Sequence, residues 1–234
     1  MGISASLGSS ALLPAGLGFR NLIINGDFRI NQRVFTSSAS SVYGFDRWTS
    51  SSADGTVTYS AQTFTTGNAI PGYEPTNHAR IATSGQTLAG AYSHLVQRIE
   101  NVRTLAGQTA SLSFWAKATS GTPKVAVEFL QIFGTGGSPS STTFTYAGQV
   151  TLSTAWQRFT MQVNIPSISG KTIGTAGDDT LYLNLWTSAG STYNSRSGSI
   201  GIQNSTIDFW GVQLEQNYQP TPFEQRPIGV ELAL

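Results

Sequence analysis

Apolar residues in this chain recur at every second position in short runs, not at helical spacing. In ASLSFWAKA, Leu112 and Phe114 oppose Ser111, Ser113, Trp115 and Lys117; in WQRFTMQVNI, Phe159, Met161, Val163 and Ile165 oppose Arg158, Thr160, Gln162 and Asn164. Successive side chains of a strand point to opposite faces, so each run predicts a strand with one buried face. FDRWTSS, TVTYSAQTF, HARIATS, YSHLVQRI, QVTLS, TLYLNLWTS and TIDFWGVQLEQ read as strands too. KVAVEFLQIF is apolar on both faces and bounded by Pro123 and a Gly134–Gly137 cluster. It predicts a strand covered on both sides by another element or another subunit.

NLIINGDFRINQR, Asn21 to Arg33, reads as an opening strand with a corner in it: Asn25-Gly26 marks a turn or bulge, and Leu22, Ile24, Phe28 and Ile30 can face a core. Gly/Ser/Thr-rich loops separate the later runs, and no βαβ alternation or fixed-period repeat occurs. The predicted fold is all-β, an antiparallel β-sandwich (jelly roll) of about ten strands. Residues 1–20 form an arm ahead of it, and residues 21–234 form the jelly-roll domain with an apolar C-terminal tail.

Composition narrows the function. Thirteen Lys and Arg against 12 Asp and Glu leave no basic excess for a phosphate backbone, which argues against nucleic acid. No run approaches a membrane span. With no cysteine there are no disulfides, no thiolate nucleophile and none of the common structural zinc sites. Charged residues make up only 11% of the chain, a neutral polar surface suited to life in an assembly or to facing sugars.

Candidate chemistry is sparse. His78 and His94, the two histidines, lie in no metal or triad spacing and read as locally bonded strand residues. Asp178-Asp179 is a paired acid, but adjacent carboxyls on an extended chain point apart, so it reads as turn capping. No enzyme is predicted. In TLYLNLWTS, Leu181, Leu183 and Leu185 form the inward set, leaving Tyr182, Asn184 and Trp186 in a line on the other face. Such a line suits a glycan: a ring stacks on the sugar and an amide holds its hydroxyls. Trp115 and Lys117 share the outward phase on their own strand, and together these five are the candidate glycan-binding residues.

NLIINGDFRINQR, YGFDRW, HLVQRIENVRTLAGQTASLSFWAKA, WQRFTMQVNIPS and IDFWGVQLEQNYQPTPFEQRPIGVELAL, in that order, resemble the C-terminal domains of bacteriophage tail-fibre and related virion proteins. The resemblance covers nearly all of Asn21 to Leu234. It implies a jelly roll of the carbohydrate-binding-module type, with residues 21 to 30 running near the last strand. It also implies a non-enzymatic virion protein, a tail fibre or fibre tip, that contacts a host surface polysaccharide. Its partners are then other virion proteins and itself, as a homotrimer in which the apolar front arm and tail pack on a neighbour. A capsid decoration or joint protein and an accessory carbohydrate-binding module are the alternatives. Such jelly rolls often hold a structural calcium. No cofactor is assigned here, because Arg29 stands where an acid often helps hold that ion, although Asp27 and Asp208 match the two ends of the chain where it would sit.

Overall fold

The computed structural model of the chain describes residues 19–39, 42–67 and 70–234. The strands are β1 (Ser37–Ala39), β2 (Trp48–Ala53), β3 (Thr56–Thr63), β4 (Asn77–Ser84), β5 (Tyr92–Glu100), β6 (Thr109–Ala118), β7 (Lys124–Ile132), β8 (Thr143–Thr151), β9 (Gln157–Asn164), β10 (Thr180–Ala189) and β11 (Ser205–Glu215). They form a six-stranded sheet, β1-β3-β4-β11-β6-β9, and a five-stranded sheet, β2-β5-β10-β7-β8, whose paired strands all run antiparallel. The two sheets make the expected jelly-roll sandwich.

The alternating runs supply its inside. Leu112 and Phe114 on β6, Ile81 on β4, Leu95 on β5, Val127 and Phe129 on β7, and Phe209 on β11 all belong to one buried core cluster. A bond between Thr83 Oγ1 of β4 and Ser93 Oγ of β5, 3.0 Å, crosses between the sheets inside it. Each large apolar side chain fully withdrawn from water contributes roughly 1.5–3 kcal/mol. Each predicted run from FDRWTSS to TIDFWGVQLEQ overlaps a strand, though β8 starts at Thr143, well before QVTLS. It is an edge strand with one half-buried and one exposed phase, and the aromatic phase of TFTY, Phe144 and Tyr146, is the exposed one.

Asn21 to Arg33 is not a strand. Asn25 and Phe28 adopt left-handed φ values of 55°, which breaks a ladder at once. The segment instead lies along β11 through a few specific bonds: Leu22 N donates to Leu214 O at 2.8 Å, and Val212 N donates to Gly26 O at 2.9 Å. The Asn21 side chain adds two more, accepting from Leu214 N at 3.0 Å and donating to Val212 O at 3.1 Å. Residues 21 to 30 therefore do run beside the last strand. The left-handed backbone belongs to Asn25, and Gly26 serves close approach: a Cβ there would lie 2.1 Å from Val212 O.

The first part of the C-terminal tail packs on its own chain, while Ile228, Leu232 and Leu234 beyond it stay exposed. Phe223, 5.1 Å from Trp210, joins the core cluster. Arg226, 4% exposed, donates to Ile23 O and Asn21 O and pairs with Glu231 at 3.0 Å. Glu231, in the short helix α2 (Ile228–Glu231), in turn accepts from Asn25 N. The tail thus clasps the opening corner, satisfying two carbonyls and one N–H that it leaves open. Residues 1–18 of the front arm lie outside the described residues.

Gly26→Ala should therefore destabilise the fold by about 1–3 kcal/mol, an overpacking cost against backbone. Urea unfolding measures it; an unchanged midpoint would refute the close approach.

Candidate functional site

On β10, Leu181, Leu183 and Leu185 are buried in the core, so Tyr182, Asn184 and Trp186 turn to the outer face of the five-stranded sheet, as the alternation requires. That face is divided in two. Over Trp186 and Asn184, which are only 1% and 2% exposed, lies the segment after β10. It holds a 3₁₀ turn, Ser191–Tyr193, and a single helical turn α1, Asn194–Ser197, closed by left-handed Gly198. Tyr193 packs 5.3 Å from Trp186, and the Arg196 guanidinium sits 5.2 Å from Trp186 and 4.2 Å from Phe144 of β8.

What fastens this cover is Glu128 of β7, wholly buried beneath it. Arg196 grips Glu128 bidentately, Nε to Oε1 at 2.6 Å and Nη2 to Oε2 at 2.9 Å. Asn184 Nδ2 and Trp186 Nε1 donate to the same Oε2 at 3.0 and 3.1 Å. A fork of this kind suits a buried carboxylate, whose desolvation demands several charge-assisted bonds. Two of the expected sugar contacts are therefore spent inside the protein. KVAVEFLQIF is indeed covered on both faces, and the outer cover comes from this same chain.

Beyond the cover the face opens into a groove of about 700 Å³. Tyr182 forms its floor with Arg98, the residue directly opposite on β5. The Arg98 guanidinium lies 5.1 Å from the Tyr182 ring and 5.9 Å from the Tyr43 ring, and Nη1 donates to the Tyr43 hydroxyl at 3.2 Å. The Arg33 guanidinium also stands 5.9 Å from the Tyr43 ring. Tyr43 is 44% exposed, so this is an open aromatic stack stiffened by cations. A second pocket of about 170 Å³ adjoins the groove, sharing Arg98 and Tyr182 and reaching His94 and Asn184.

The acids of the groove are engaged. Asp46 accepts from Gln32 N at 2.7 Å, and Glu100 pairs with Arg47 at 3.1 Å. Asp178 accepts from the backbone N–H and hydroxyl of Thr135, bonds that hold its carboxyl below the usual range. Asp179 accepts from Val102 N at 2.8 Å. The Asp178-Asp179 pair thus caps two different turns, as its adjacency suggests.

Trp115 and Lys117 do not join this site. They lie on the outer face of the other sheet, where Trp115 is 7% exposed beneath Phe223, Tyr73 and Arg158. Lys117 sits 3.8 Å from Asp208 and 5.5 Å from the Trp156 ring. On this face Asp208, fully buried, takes Arg80 Nε at 2.6 Å and Arg80 Nη2 at 2.9 Å, with His78 Nε2 3.4 Å away. Burial raises the Asp208 carboxyl, but its bonds from Arg80 and the nearby His78 outweigh burial and hold it low. Asp27 lies in the opening corner, 2.7 Å from Arg29. The two carboxylates serve different arginines and do not converge. With both carboxylates bound to arginine, Asp27 and Asp208 do not together fit a calcium site, and among the described residues no group of three or more His, Asp or Glu is placed to hold a metal.

No family model and no curated protein matches the chain. Among solved structures it is similar to a Bacteroides thetaiotaomicron protein suspected of binding sugars, with a TM-score of 0.50 and 17% identity over 84% of this chain and 100% of that one. It is also similar to a family 22 carbohydrate-binding module from Clostridium thermocellum (TM-score 0.47, 13% identity, 84% and 98% covered). A family 11 module of that organism, solved with a mixed-linked tetrasaccharide, follows (TM-score 0.45, 11% identity, 77% and 96% covered). At 17% identity the likeness to the first of these is one of fold alone.

Two outcomes follow from the cover. Arg196→Ala leaves Glu128 buried without its cation and should cost about 3–5 kcal/mol, read by urea unfolding; a cost near zero would show the cover to be loose. Burial, then the Arg196 charge, pulls His94 down to about 3. Since unfolded His titrates near ~6.5, its contribution to stability is complete above that pH and drains as the pH falls below it. His94→Gln should flatten the loss of stability between neutral and acid pH, and an unaltered slope would contradict the assignment.

Proposed function

We propose that this chain is a non-catalytic carbohydrate-binding module that holds an oligosaccharide in the groove on the outer face of its five-stranded sheet. The observation that carries the reading is the open Tyr43, Arg98 and Tyr182 stack at the centre of the groove. Exposed rings with an apolar face and a polar tip are the side chains that lie against a pyranose, and the groove has the volume of an ordinary ligand pocket. Binding without cleavage is supported by the state of the acids. Glycoside hydrolysis needs one carboxyl kept protonated opposite a second that is free, whereas Asp46, Glu100, Asp178 and Asp179 are committed to arginines and backbone amides.

The landmark series from Asn21 to Leu234 supports a finer placement, at the tip of a virion fibre, where the groove would face a host surface polysaccharide. That placement rests on the sequence resemblance, and immuno-electron microscopy of intact particles tests it separately. Absence of label on every particle would remove the virion and leave the module.

The groove itself is tested by substitution. Tyr182→Ala and Tyr43→Ala should each weaken binding on a glycan array about tenfold, the worth of one lost aromatic contact, with Tm nearly unchanged. Trp115→Phe on the other sheet should leave binding intact. Normal binding by both tyrosine variants would exclude the groove.

A further inference from the structure

The groove's arginines differ in one respect. Arg33 has Asp46 at 3.5 Å and Arg47 has Glu100 at 3.1 Å. Arg98, exposed at the centre, forms no ion pair with any carboxylate of the described residues, and the undescribed residues 1–18, 40–41 and 68–69 contain no Asp or Glu to supply one. Its one hydrogen bond goes to a neutral partner, the Tyr43 hydroxyl. Held between two rings, the guanidinium keeps a free planar edge, the geometry that takes a carboxylate through two parallel bonds.

The small pocket beside Arg98 points the same way. No acidic side chain lines it; its titratable walls are Arg98, Tyr182, His94 and Arg196. Arg196 is neutralised by Glu128, and His94 is kept uncharged by burial and by the Arg196 charge. At its base lies Asn184, 2% exposed, whose Nδ2 is spent on Glu128 and whose Oδ1 has no hydrogen-bond partner. A buried amide oxygen left open is costly unless a donor such as a sugar hydroxyl meets it. With about 170 Å³, less than the ~300 Å³ of a self-sufficient ligand pocket, this is a subsite for part of one sugar unit.

We infer that the groove is selective for acidic glycans: the carboxylate of a uronic or sialic acid unit docks on Arg98, and a neighbouring hydroxyl of that unit donates to Asn184 Oδ1. This rests on the glycan reading above and adds the charge of the ligand to it. The remaining sugars lie along the wider groove, whose acids are already engaged and which suits neutral units.

The test is a glycan array of uronate-bearing, sialylated and neutral oligosaccharides probed with the intact chain, followed by titration of the bound glycans before and after reduction of their carboxyls to alcohols. Acidic glycans should bind, and reduction should weaken them about tenfold to hundredfold. Arg98→Gln should lose the same factor and no longer distinguish acid from alcohol. Whether uronates or sialosides are bound identifies the source of the carboxylate. If neutral glycans bind equally well and Arg98→Gln is indifferent while Tyr182→Ala still weakens binding, the acidic inference fails and the groove stands. If no glycan binds, both fail.

Discussion

The register of β10 decides what this protein can present. Leu181, Leu183 and Leu185 are held in the core between β5 and β7, and the period of two along the strand then places Tyr182, Asn184 and Trp186 outside. A slip of one residue would exchange the sets, exposing the leucines and burying the amide and the rings, so the core enforces the binding face. The same ladders set Arg98 directly opposite Tyr182 and Glu128 directly opposite Asn184. The groove and its cover are thus two consequences of one pairing.

A sandwich has two outer faces, and here they are treated differently. The six-stranded sheet hides its aromatic residues: Trp115 and Trp210 lie beneath Phe223, with the tail held by Gln213 and Glu215 through Thr221 and Glu224. Its charges are consumed around Asp208. The five-stranded sheet hides only one end, where Arg196 and Glu128 fasten the segment after β10. The chain has few charges to spend, and it places carboxylates such as Glu128, Asp208 and Glu231 in buried pairs that fix elements in place, which is where an ion pair specifies geometry more than it adds stability.

Most of the fold could be read from apolar alternation, because strands with one buried face write their period into the sequence. What could not be read is where alternation is missing or points outward. β1 is three residues long and β8 turns its alternating Phe144 and Tyr146 away from the core, while the opening corner joins the sheet through side-chain bonds and left-handed residues that a hydrophobic pattern does not encode. For the site, the outward phase of Tyr182, Asn184 and Trp186 was legible, but the cover over Trp186 was not, since a polar loop gives no sign of where it folds back. Glu128 offered a clue as the one acid inside KVAVEFLQIF. Arg98 stands in the outward phase of β5 with His94, whereas Tyr43 reaches the groove from a connection whose course only the fold defines. Trp115 shows the limit of phase alone: outward from a strand is not outward to solvent.

The central claim is that the five-stranded sheet carries the ligand. Its most direct test is a backbone amide NMR titration of the intact chain with a glycan it binds. The account predicts shifts concentrated at residues 96 to 100 of β5, at 180 to 184 of β10 and around Tyr43, with β4, β6 and β11 silent. Shifts concentrated instead around Arg80, Trp115 and Trp210 would place the ligand on the opposite face and contradict it.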